Sequence, residues 1–270
     1  QCIVETEEGS VTIDADNIII ATGSSHIDLP FMPCDEEFII SSTGALDLQK
    51  LPKKVAVIGG GYIGLELGCA LSRLGAEVTI IEGMDSVLAI MDKEIRRPVE
   101  IWLKKHKVVV HTQAMAKGAV VKGKGKSRKV HMTFEKNDEE QTIVVDKVLV
   151  TVGRRPNTKG WGLENMGVRM DSSGRFIRID DKCQTSVPGI YAIGDVAGDP
   201  MLAHKASAQG EMVAEVISGE KRIFDKVAIP AIVFTEPEIV SVGLSPNEAK
   251  EAGEEIITGK FPLAANGRAL

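Results

Sequence analysis

The sequence predicts an α/β protein organised around a parallel sheet, and three observations in one stretch indicate this. Val55 to Ile58 is a fully apolar run, typical of a parallel strand that is buried on both faces. Apolar residues then recur at the helical period from Ile63 to Leu74, and Gly75 stands where a left-handed helix cap belongs. A second strand, Glu77 to Glu82, follows directly. This order predicts a βαβ unit.

The turn between the first strand and the helix has the pattern G-x-G-x-x-G. Gly59 would make the tight turn, Gly61 would let a pyrophosphate approach the backbone, and Gly64 would let the helix pack closely on the strand. Glu82 ends the second strand, where an acid bonds the ribose hydroxyls of a dinucleotide. The helix N-terminus would face the phosphates. The pattern predicts a dinucleotide site rather than a glycine-rich turn of another α/β protein.

Composition excludes several classes of function. The chain has 270 residues, enough for two domains, with a formal charge of -6 and 43% hydrophobic residues. This charge gives no reason to expect nucleic acid as a partner, and no apolar run approaches the roughly 20 residues of a membrane span. The start lacks both an initiating Met and the pattern of a signal peptide. We therefore expect a piece of a longer protein that acts without nucleic acid or membrane.

The cysteines and histidines predict neither a metal site nor a catalytic thiol. Cys2, Cys34, Cys69 and Cys183 are scattered without paired spacing, and the five histidines show no metal-binding spacing. Scattered single thiols fit a reducing compartment, so a cytoplasmic location is expected.

The first part of the chain predicts a hairpin and then a buried strand. Cys2 to Thr6 and Ser10 to Ile13 alternate around a glycine turn. Asn17 to Ala21 is an apolar strand that runs into the small residues Thr22, Gly23 and Ser24, where backbone could approach a ligand or simply turn. A proline-rich connection with a short helix from Ser42 to Leu48 follows.

After the central βαβ, Asp92 would cap a helix that runs to about Lys105, and a strand from Lys107 to His111 would extend the sheet. From Ala119 to Val152 the pattern becomes antiparallel, with hairpin tips at residues 123–126 and 137–140. The basic cluster at the first tip lacks aromatic partners, so we interpret it as a solvated tip rather than a nucleic-acid patch. Lys147 to Val152 is again a buried strand, ending at Gly153.

The last part predicts a second ligand-binding strand end and a separate final unit. The segment TSVPGIYAIGD places Asp195 after a strand, where it could bond a polyol, and a helix from Ala203 to Ser218 follows. Ser245 to Glu248 is a capping box with proline at the first helical position. The remaining predicted strands are Ile177 to Ile179, Pro230 to Thr235, Glu238 to Leu244 and Glu254 to Phe261.

Several motifs resemble those of the two-dinucleotide flavoprotein disulfide reductases. IIATGS at 19–24 is similar to the second flavin-domain motif, GGGYIGLELG to the NAD motif, VGRRPNT to the return into the flavin domain, and TSVPGIYAIGD to the flavin-ribityl motif. PMLAHKA at 200–206 resembles the lipoamide dehydrogenase branch rather than glutathione or mercuric reductases. TEPEIVSVG at 235–243 resembles the opening strand of a dimerisation domain.

The resemblance implies an α/β architecture in which a Rossmann-like NAD-binding domain is inserted in a partial FAD-binding domain of the same type. The start of an α+β interface domain would follow. The expected limits are 1–41 for part of the FAD-binding domain and the connection, 42–152 for the NAD-binding domain, 153–228 for the rest of the FAD-binding domain, and 229–270 for the start of the dimerisation domain.

The resemblance also implies two cofactors, FAD and NAD, and their binding residues. The residues expected at FAD are Thr22, Gly23, Ser24, Asp195, Met201, Leu202 and Ala203. Those expected where the nicotinamide stacks on the flavin are Tyr62, Ile63 and Glu66. The rest of the NAD site would be formed by Gly59, Gly61, Gly64, Glu82, Met115 and Gly153.

In the parent enzyme of this branch, electrons would pass from dihydrolipoamide through a disulfide and FAD to NAD. The parent would be a homodimer serving the lipoyl domain of a 2-oxo acid dehydrogenase complex. The family's C-x-x-x-x-C disulfide and first FAD motif should precede residue 1, and its His-Glu base pair should follow residue 270. The chain alone is therefore expected to be inactive. The alternatives are another two-dinucleotide flavoprotein, such as a soluble transhydrogenase or a mercuric or glutathione-type reductase, and a dinucleotide-binding fragment without turnover.

Overall fold

The computed structural model of the chain describes residues 1–225 and 228–268. Its strands, in chain order, are β1 Cys2–Thr6, β2 Gly9–Ile13, β3 Ile18–Ile20, β4 Ser24–His26, β5 Ile39–Ile40, β6 Lys54–Ile58, β7 Glu77–Ile81, β8 Val109–His111, β9 Ala114–Lys122, β10 Lys129–Lys136, β11 Glu139–Val145, β12 Lys147–Val150, β13 Arg154–Pro156, β14 Ile190–Ala192, β15 Ala231–Val233 and β16 Ile239–Ser241. Its α-helices are α1 Ser42–Leu46, α2 Tyr62–Arg73, α3 Lys93–Lys105, α4 Ala203–Ile217 and α5 Pro246–Glu251. Within these residues, no helix has the length and apolar composition needed to cross a membrane.

A five-stranded parallel sheet forms the centre of the molecule, in the order β5-β12-β6-β7-β8. Alternate residues of its strands point to opposite faces. Val57 and Ile80 pack on one face with α2 and α3, whereas Ile58 and Ile81 pack on the other. The central strands are buried on both faces, as the apolar run predicts. The predicted α/β fold and its βαβαβ order are confirmed.

The second face of this sheet is covered by a smaller antiparallel sheet, in the order β11-β10-β9. Val130, Met132 and Phe134 of β10 are fully buried against the central sheet. Asn137 and Asp138 have φ of 54° and 61°, the left-handed conformation that a tight two-residue hairpin turn requires. The antiparallel unit predicted after residue 119 is confirmed, although its first strand already begins at Ala114.

The remaining strands form short two-stranded sheets. The terminal hairpin of β1 and β2 is exposed along its whole length. β3 pairs in parallel with β14, and β4 pairs antiparallel with β13. These pairings connect the first 26 residues to segments more than 120 residues further along the chain.

Two predicted strands are wrong. Ile177, in the predicted strand Ile177 to Ile179, makes a single bridge with Met170, because its N–H donates to the Val196 carbonyl rather than to a continuous neighbouring strand. Residues 254–261 are exposed and irregular, since within the described chain no strand pairs with them. A strand needs a partner for its backbone hydrogen bonds, which an apolar pattern alone does not supply.

The final unit packs against the outer face of α2. Val233 and Ile239 join the same apolar cluster as Leu65 of α2, and Arg73 forms an ion pair with Glu236 at 2.6 Å. The capping box of α5 is confirmed. At the other end of the central sheet, β5 lies just before residue 42, where the sequence predicts that the inserted domain begins. The domain limits themselves stay predictions.

Candidate functional site

The glycine turn after β6 has the close packing that the motif predicts. Gly59 has φ of 102°, and a Cβ there would lie 2.5 Å from the Thr151 carbonyl oxygen. A Cβ on Gly64 would lie 2.0 Å from the Gly59 carbonyl oxygen. At Gly61 a Cβ would meet only open space. Two of the glycines are therefore required for packing within the protein, whereas the third leaves room for a ligand.

The N-terminus of α2 is arranged to receive an anion. Gly61 is the N-cap residue and has no side chain that could bond the first helical amides. These amides and the positive end of the helix dipole therefore stay available to a phosphate group beside the turn.

Glu82 lies beside the same turn. One carboxylate oxygen accepts a hydrogen bond from the Gly60 N–H at 2.5 Å, and the other accepts one from the Met84 N–H at 2.7 Å. A carboxylate has about four acceptor positions, so each oxygen can still accept from a ribose hydroxyl. The backbone thus holds this acid in place before any ligand arrives.

These groups surround a cavity of about 540 Å³ at the carboxyl ends of the central strands. The cavity is lined by seven of the residues predicted for the NAD site, namely Gly59, Gly61, Tyr62, Ile63, Glu82, Met115 and Gly153. Gly64 lies behind the turn, and Glu66 points elsewhere, since its carboxylate accepts the Phe234 N–H at 2.9 Å. Open space at Gly61, free amides and a fixed acid together fit a dinucleotide.

Part of the cavity wall comes from residues that the sequence did not predict. Leu29 and Phe31 come from the proline-rich connection, and Leu88 and Ile90 come from the segment after β7. Leu88 closes on the turn because its N–H donates to the Gly60 carbonyl at 2.8 Å. The prolines at 30 and 33 signal an ordered loop, but nothing in the pattern tells which cavity the loop lines.

A second polar group joins residues predicted for FAD. The Ser24 hydroxyl donates to the Asp195 carboxylate at 2.5 Å, and Arg154 donates to the Ser24 hydroxyl at 2.7 Å and to its carbonyl at 2.6 Å. Ser24 and Arg154 meet because β4 pairs with β13. Arg154 was not among the predicted site residues, although the VGRRPNT motif contains it.

Thr22 and Gly23 lie beside this group, at the end of β3. Asn157 joins both of them, because its N–H donates to the Gly23 carbonyl at 2.9 Å and its carbonyl accepts the Thr22 hydroxyl at 2.8 Å. These bonds fix the turn between β3 and β4.

Met201, Leu202 and Ala203 lie where α4 begins. Their helix is attached to the turn that carries Asp195, since Gln209 accepts the Gly194 N–H at 2.8 Å and is nearly fully buried. His204 is already engaged, with its Nε2 2.8 Å from the Pro230 carbonyl oxygen. The structure thus joins the start of α4 to the Asp195 turn.

Tyr62 lines the cavity and is close enough to Arg154 and Asp195 for their charges to act on its phenol. Burial raises the pKa of its phenol, and the Arg154, Asp195 and Glu66 charges also act on that pKa. The ring is half-buried at the cavity wall. It therefore occupies the boundary between the two predicted cofactor regions.

None of the cysteines forms a disulfide among the described residues. Burial, together with a hydrogen bond to Asp28, raises the pKa of the Cys34 thiol to about 12. Burial raises the pKa of the Cys69 thiol to about 11. Both thiols are therefore protonated at neutral pH, which makes them poor nucleophiles.

Comparison with protein families identifies two matching regions. Residues 1–210 match the family described as pyridine nucleotide-disulphide oxidoreductase, and residues 229–270 match the dimerisation domain of the same family.

Curated relatives agree with this match. The chain is 49% identical over 268 residues to a dihydrolipoyl dehydrogenase of Bacillus subtilis, covering 99% of this chain and 56% of the relative. It is 50% identical over 254 residues to a dihydrolipoyl dehydrogenase of Geobacillus stearothermophilus, covering 94% of this chain and 53% of that protein. The chain thus spans about half the length of the curated relatives it matches.

Solved structures show the same architecture. LpdA from Mycobacterium tuberculosis superposes with a TM-score of 0.86 at 32% identity, covering 99% of this chain and 57% of that one. The HOCl-induced flavoprotein disulfide reductase RclA from Escherichia coli superposes with a TM-score of 0.85 at 28% identity, covering 99% of this chain and 59% of that one.

Proposed function

Because this chain belongs to the pyridine nucleotide-disulphide oxidoreductase family, we propose that it is the dinucleotide-docking part of a dihydrolipoyl dehydrogenase. The whole enzyme would oxidise dihydrolipoamide to lipoamide and reduce NAD. The dithiol loses two electrons and two protons, of which NAD takes a hydride and the solvent takes a proton. FAD, when bound, supplies the electron transfer between thiols and nicotinamide.

The observation that carries this proposal is the cavity at the carboxyl ends of the central strands. Gly61 and the start of α2 would bind the pyrophosphate of NAD, while Glu82 would accept hydrogen bonds from the adenosine ribose. Tyr62 and Ile63, at the inner wall, would cover the nicotinamide and exclude water from it. Met115 and Gly153 would complete the wall.

The polar group around Asp195 supports FAD binding on the other side of Tyr62. Asp195 would bond the ribityl hydroxyls. The Ser24 hydroxyl would hold its carboxylate in position, and Arg154 would in turn hold Ser24. Thr22 and Gly23 would bring backbone close to the flavin, and Met201 to Ala203 would present the N-terminus of α4 to its ring. The positive end of that helix favours negative charge on a reduced ring.

Partners and location form part of the same proposal. The match of residues 229–270 to a dimerisation domain supports a homodimer for the whole enzyme. The names of the relatives support a dihydrolipoyl group as its substrate. The motif resemblance implies that a lipoyl domain of a 2-oxo acid dehydrogenase complex carries that group. The scattered spacing of the four cysteines in the sequence supports a cytoplasmic location.

The role of Glu82 gives a direct test of the NAD site. We expect the chain to bind NADH more tightly than NADPH, because the Glu82 carboxylate repels a ribose 2′-phosphate. Glu82→Gln keeps the side-chain size and should weaken NADH binding by roughly 10-fold, since it removes a charge-assisted hydrogen bond. Glu77→Gln is the matched control, because Glu77 is exposed at the start of β7, the strand that Glu82 directly follows.

Equilibrium titration followed by nucleotide fluorescence measures both affinities. Tighter binding of NADPH than of NADH by the unaltered chain would contradict the assigned role. An equal loss of NADH affinity in Glu82→Gln and Glu77→Gln would contradict the assigned role as well.

A further inference from the structure

A cluster of ligating side chains lies outside both predicted cofactor regions. His26, Asp28 and Cys34 each offer one ligand atom, and these three atoms lie within 4.8 Å of one another. The sequence predicts no metal site here, because none of the familiar spacings of cysteine and histidine is present. The structure brings these three residues together through a loop rather than through a repeated spacing.

The loop that carries Asp28 and Cys34 is fixed by its own backbone. The Cys34 N–H donates to the Asp28 carboxylate at 3.0 Å, and the Met32 N–H donates to the Leu29 carbonyl at 2.8 Å. Met32 is 1% exposed and anchors the loop in the core between the two larger sheets. The Asp28 carboxylate and the Cys34 thiol, at the two ends of the loop, therefore face each other before any ion binds.

His26 is held independently, at the end of β4. Its strand pairs with β13, where His26 lies opposite Arg154. The His26 Nε2 atom lies 3.5 Å from the Asp28 carboxylate. Imidazole, carboxylate and thiol thus converge from a paired strand end and a hydrogen-bonded loop, so their positions are set before an ion binds.

The charges around the cluster favour a cation. Asp28, Asp35 and Glu36 all act on the Cys34 thiol as negative groups. The cations that act on Asp28 include His26 and Arg155. The side chains of His26 and Asp28 are 31% and 49% exposed, so an ion could enter from solvent.

The donor set selects the class of ion. A thiol sulfur is a poor ligand for Mg²⁺ or Ca²⁺, whereas sulfur, imidazole nitrogen and carboxylate oxygen together suit a thiophilic divalent metal. Zinc(II) accepts all three donors in a tetrahedral site whose ligand atoms lie about 3.5 Å apart. The three ligand atoms, which lie within 4.8 Å of one another, would have to approach by about 1 Å to reach that separation.

We propose that His26, Asp28 and Cys34 bind one zinc(II) ion, with water in the fourth position. On binding, a zinc–sulfur bond forms and the thiol proton passes to the buffer. The site adjoins the cavity, since Leu29 and Phe31 of the same loop line its wall. The proposal does not depend on the cofactors assigned above.

The competing explanation is that the three residues only hold the loop together. Cys34 and Asp28 are hydrogen-bonded through their side chains as well as through the backbone. Cys34→Ser separates the two explanations, because a serine hydroxyl can still bond Asp28 but is a far weaker zinc ligand than a thiolate.

The test is a calorimetric titration of the 270-residue chain with zinc chloride, after treatment with a chelator. We expect one saturable site per chain, which Cys34→Ser weakens by roughly 100-fold or more. Asp28→Asn keeps an acceptor for the Cys34 N–H and should weaken binding less. Cys2→Ser, which removes an exposed thiol, should leave the affinity unchanged.

Cobalt(II) substitution gives an independent readout, because thiolate coordination produces an absorption band that Cys34→Ser should abolish. Circular dichroism on each variant establishes that it is folded. Absence of saturable zinc binding would overturn the proposal. So would equal affinity in Cys34→Ser and the unaltered chain, which would mean binding to adventitious surface groups only.

Discussion

At the scale of single residues, Gly61 and Gly64 separate the requirements of packing from those of ligand binding. A Cβ at position 64 would lie 2.0 Å from a backbone oxygen, whereas one at position 61 would meet open space. The backbone at Gly61 has φ of -74°, which any residue adopts. The same substitution should therefore have different consequences at the two positions.

We predict that Gly64→Ala lowers the free energy of unfolding by roughly 2–3 kcal/mol, because the helix must move away from the turn. Gly61→Ala should fold with unchanged stability but bind NADH more weakly, because its methyl group occupies the space meant for the pyrophosphate. Urea denaturation and NADH titration of both variants check this. Unchanged NADH affinity in a folded Gly61→Ala variant would contradict the assigned phosphate position.

Cys69 gives a prediction about stability and pH. Its pKa is raised from 9.0 to about 11 because burial disfavours the thiolate. The unfolded chain ionises this thiol first as pH rises, so its contribution to stability is complete below pH 9 and is lost as pH approaches 11.

We therefore expect the stability difference between the unaltered chain and Cys69→Ala to shrink by about 2 kcal/mol between pH 8 and pH 10.5. Subtracting the variant's free energy of unfolding from that of the unaltered chain cancels the contributions of lysines and tyrosines that titrate elsewhere. Urea denaturation at both pH values measures the difference. A pH-independent difference would show that the thiol ionises as easily in the folded chain as in the unfolded one.

At the scale of elements, a buried side chain of α4, Gln209, joins this helix to the turn of Asp195. Gln209 is 3% exposed and accepts the N–H of Gly194, which is also buried. A buried N–H that loses its partner costs about 1–3 kcal/mol.

We predict that Gln209→Leu lowers the free energy of unfolding by about 2 kcal/mol. The matched control is Glu211→Leu, an exposed position on the same helix, which should change stability by less than about 0.5 kcal/mol. Thermal and urea denaturation of both variants measure the effect. If both variants lost equal stability, the buried hydrogen bond would not be its source.

At the scale of the whole molecule, the chain joins the two predicted dinucleotide regions but lacks a reactive dithiol among its own described residues. Cys2 lies on the exposed hairpin, Cys34 on the loop beside the cavity, and Cys69 within α2. His204, the histidine at the start of α4, is bound to the Pro230 carbonyl. Oxidation of a dithiol requires a nearby disulfide and a base for the thiol proton.

We predict that the 270-residue chain, on its own, forms no NADH from dihydrolipoamide even with excess FAD. A heat-treated sample is the control, and NADH absorbance is the measurement. The proposed NADH binding should persist in the same preparation. Turnover above the control that disappears when one of the four cysteines is replaced would contradict the prediction.

The sequence by itself determined the elements whose hydrogen bonds and packing are local. The period of α2, the glycine turn before it, the Asp92 and Ser245 caps and the hairpin tip at Asn137 all follow from neighbours within a few residues. Helix and turn bonds join residues at most four or five apart, so their signals survive in a short window. Continuous apolar runs likewise indicated that β6 and β12 of the central sheet are buried.

Only the tertiary structure decided what meets across long separations. It placed Leu29 and Phe31 in the cavity wall, joined Ser24 to Asp195 and Arg154, and gathered His26, Asp28 and Cys34. It also left residues 254–261 without a partner strand in the described chain. Strand pairing and cavity walls depend on segments that are distant in sequence, and a local pattern carries no information about which distant segment will supply the other half.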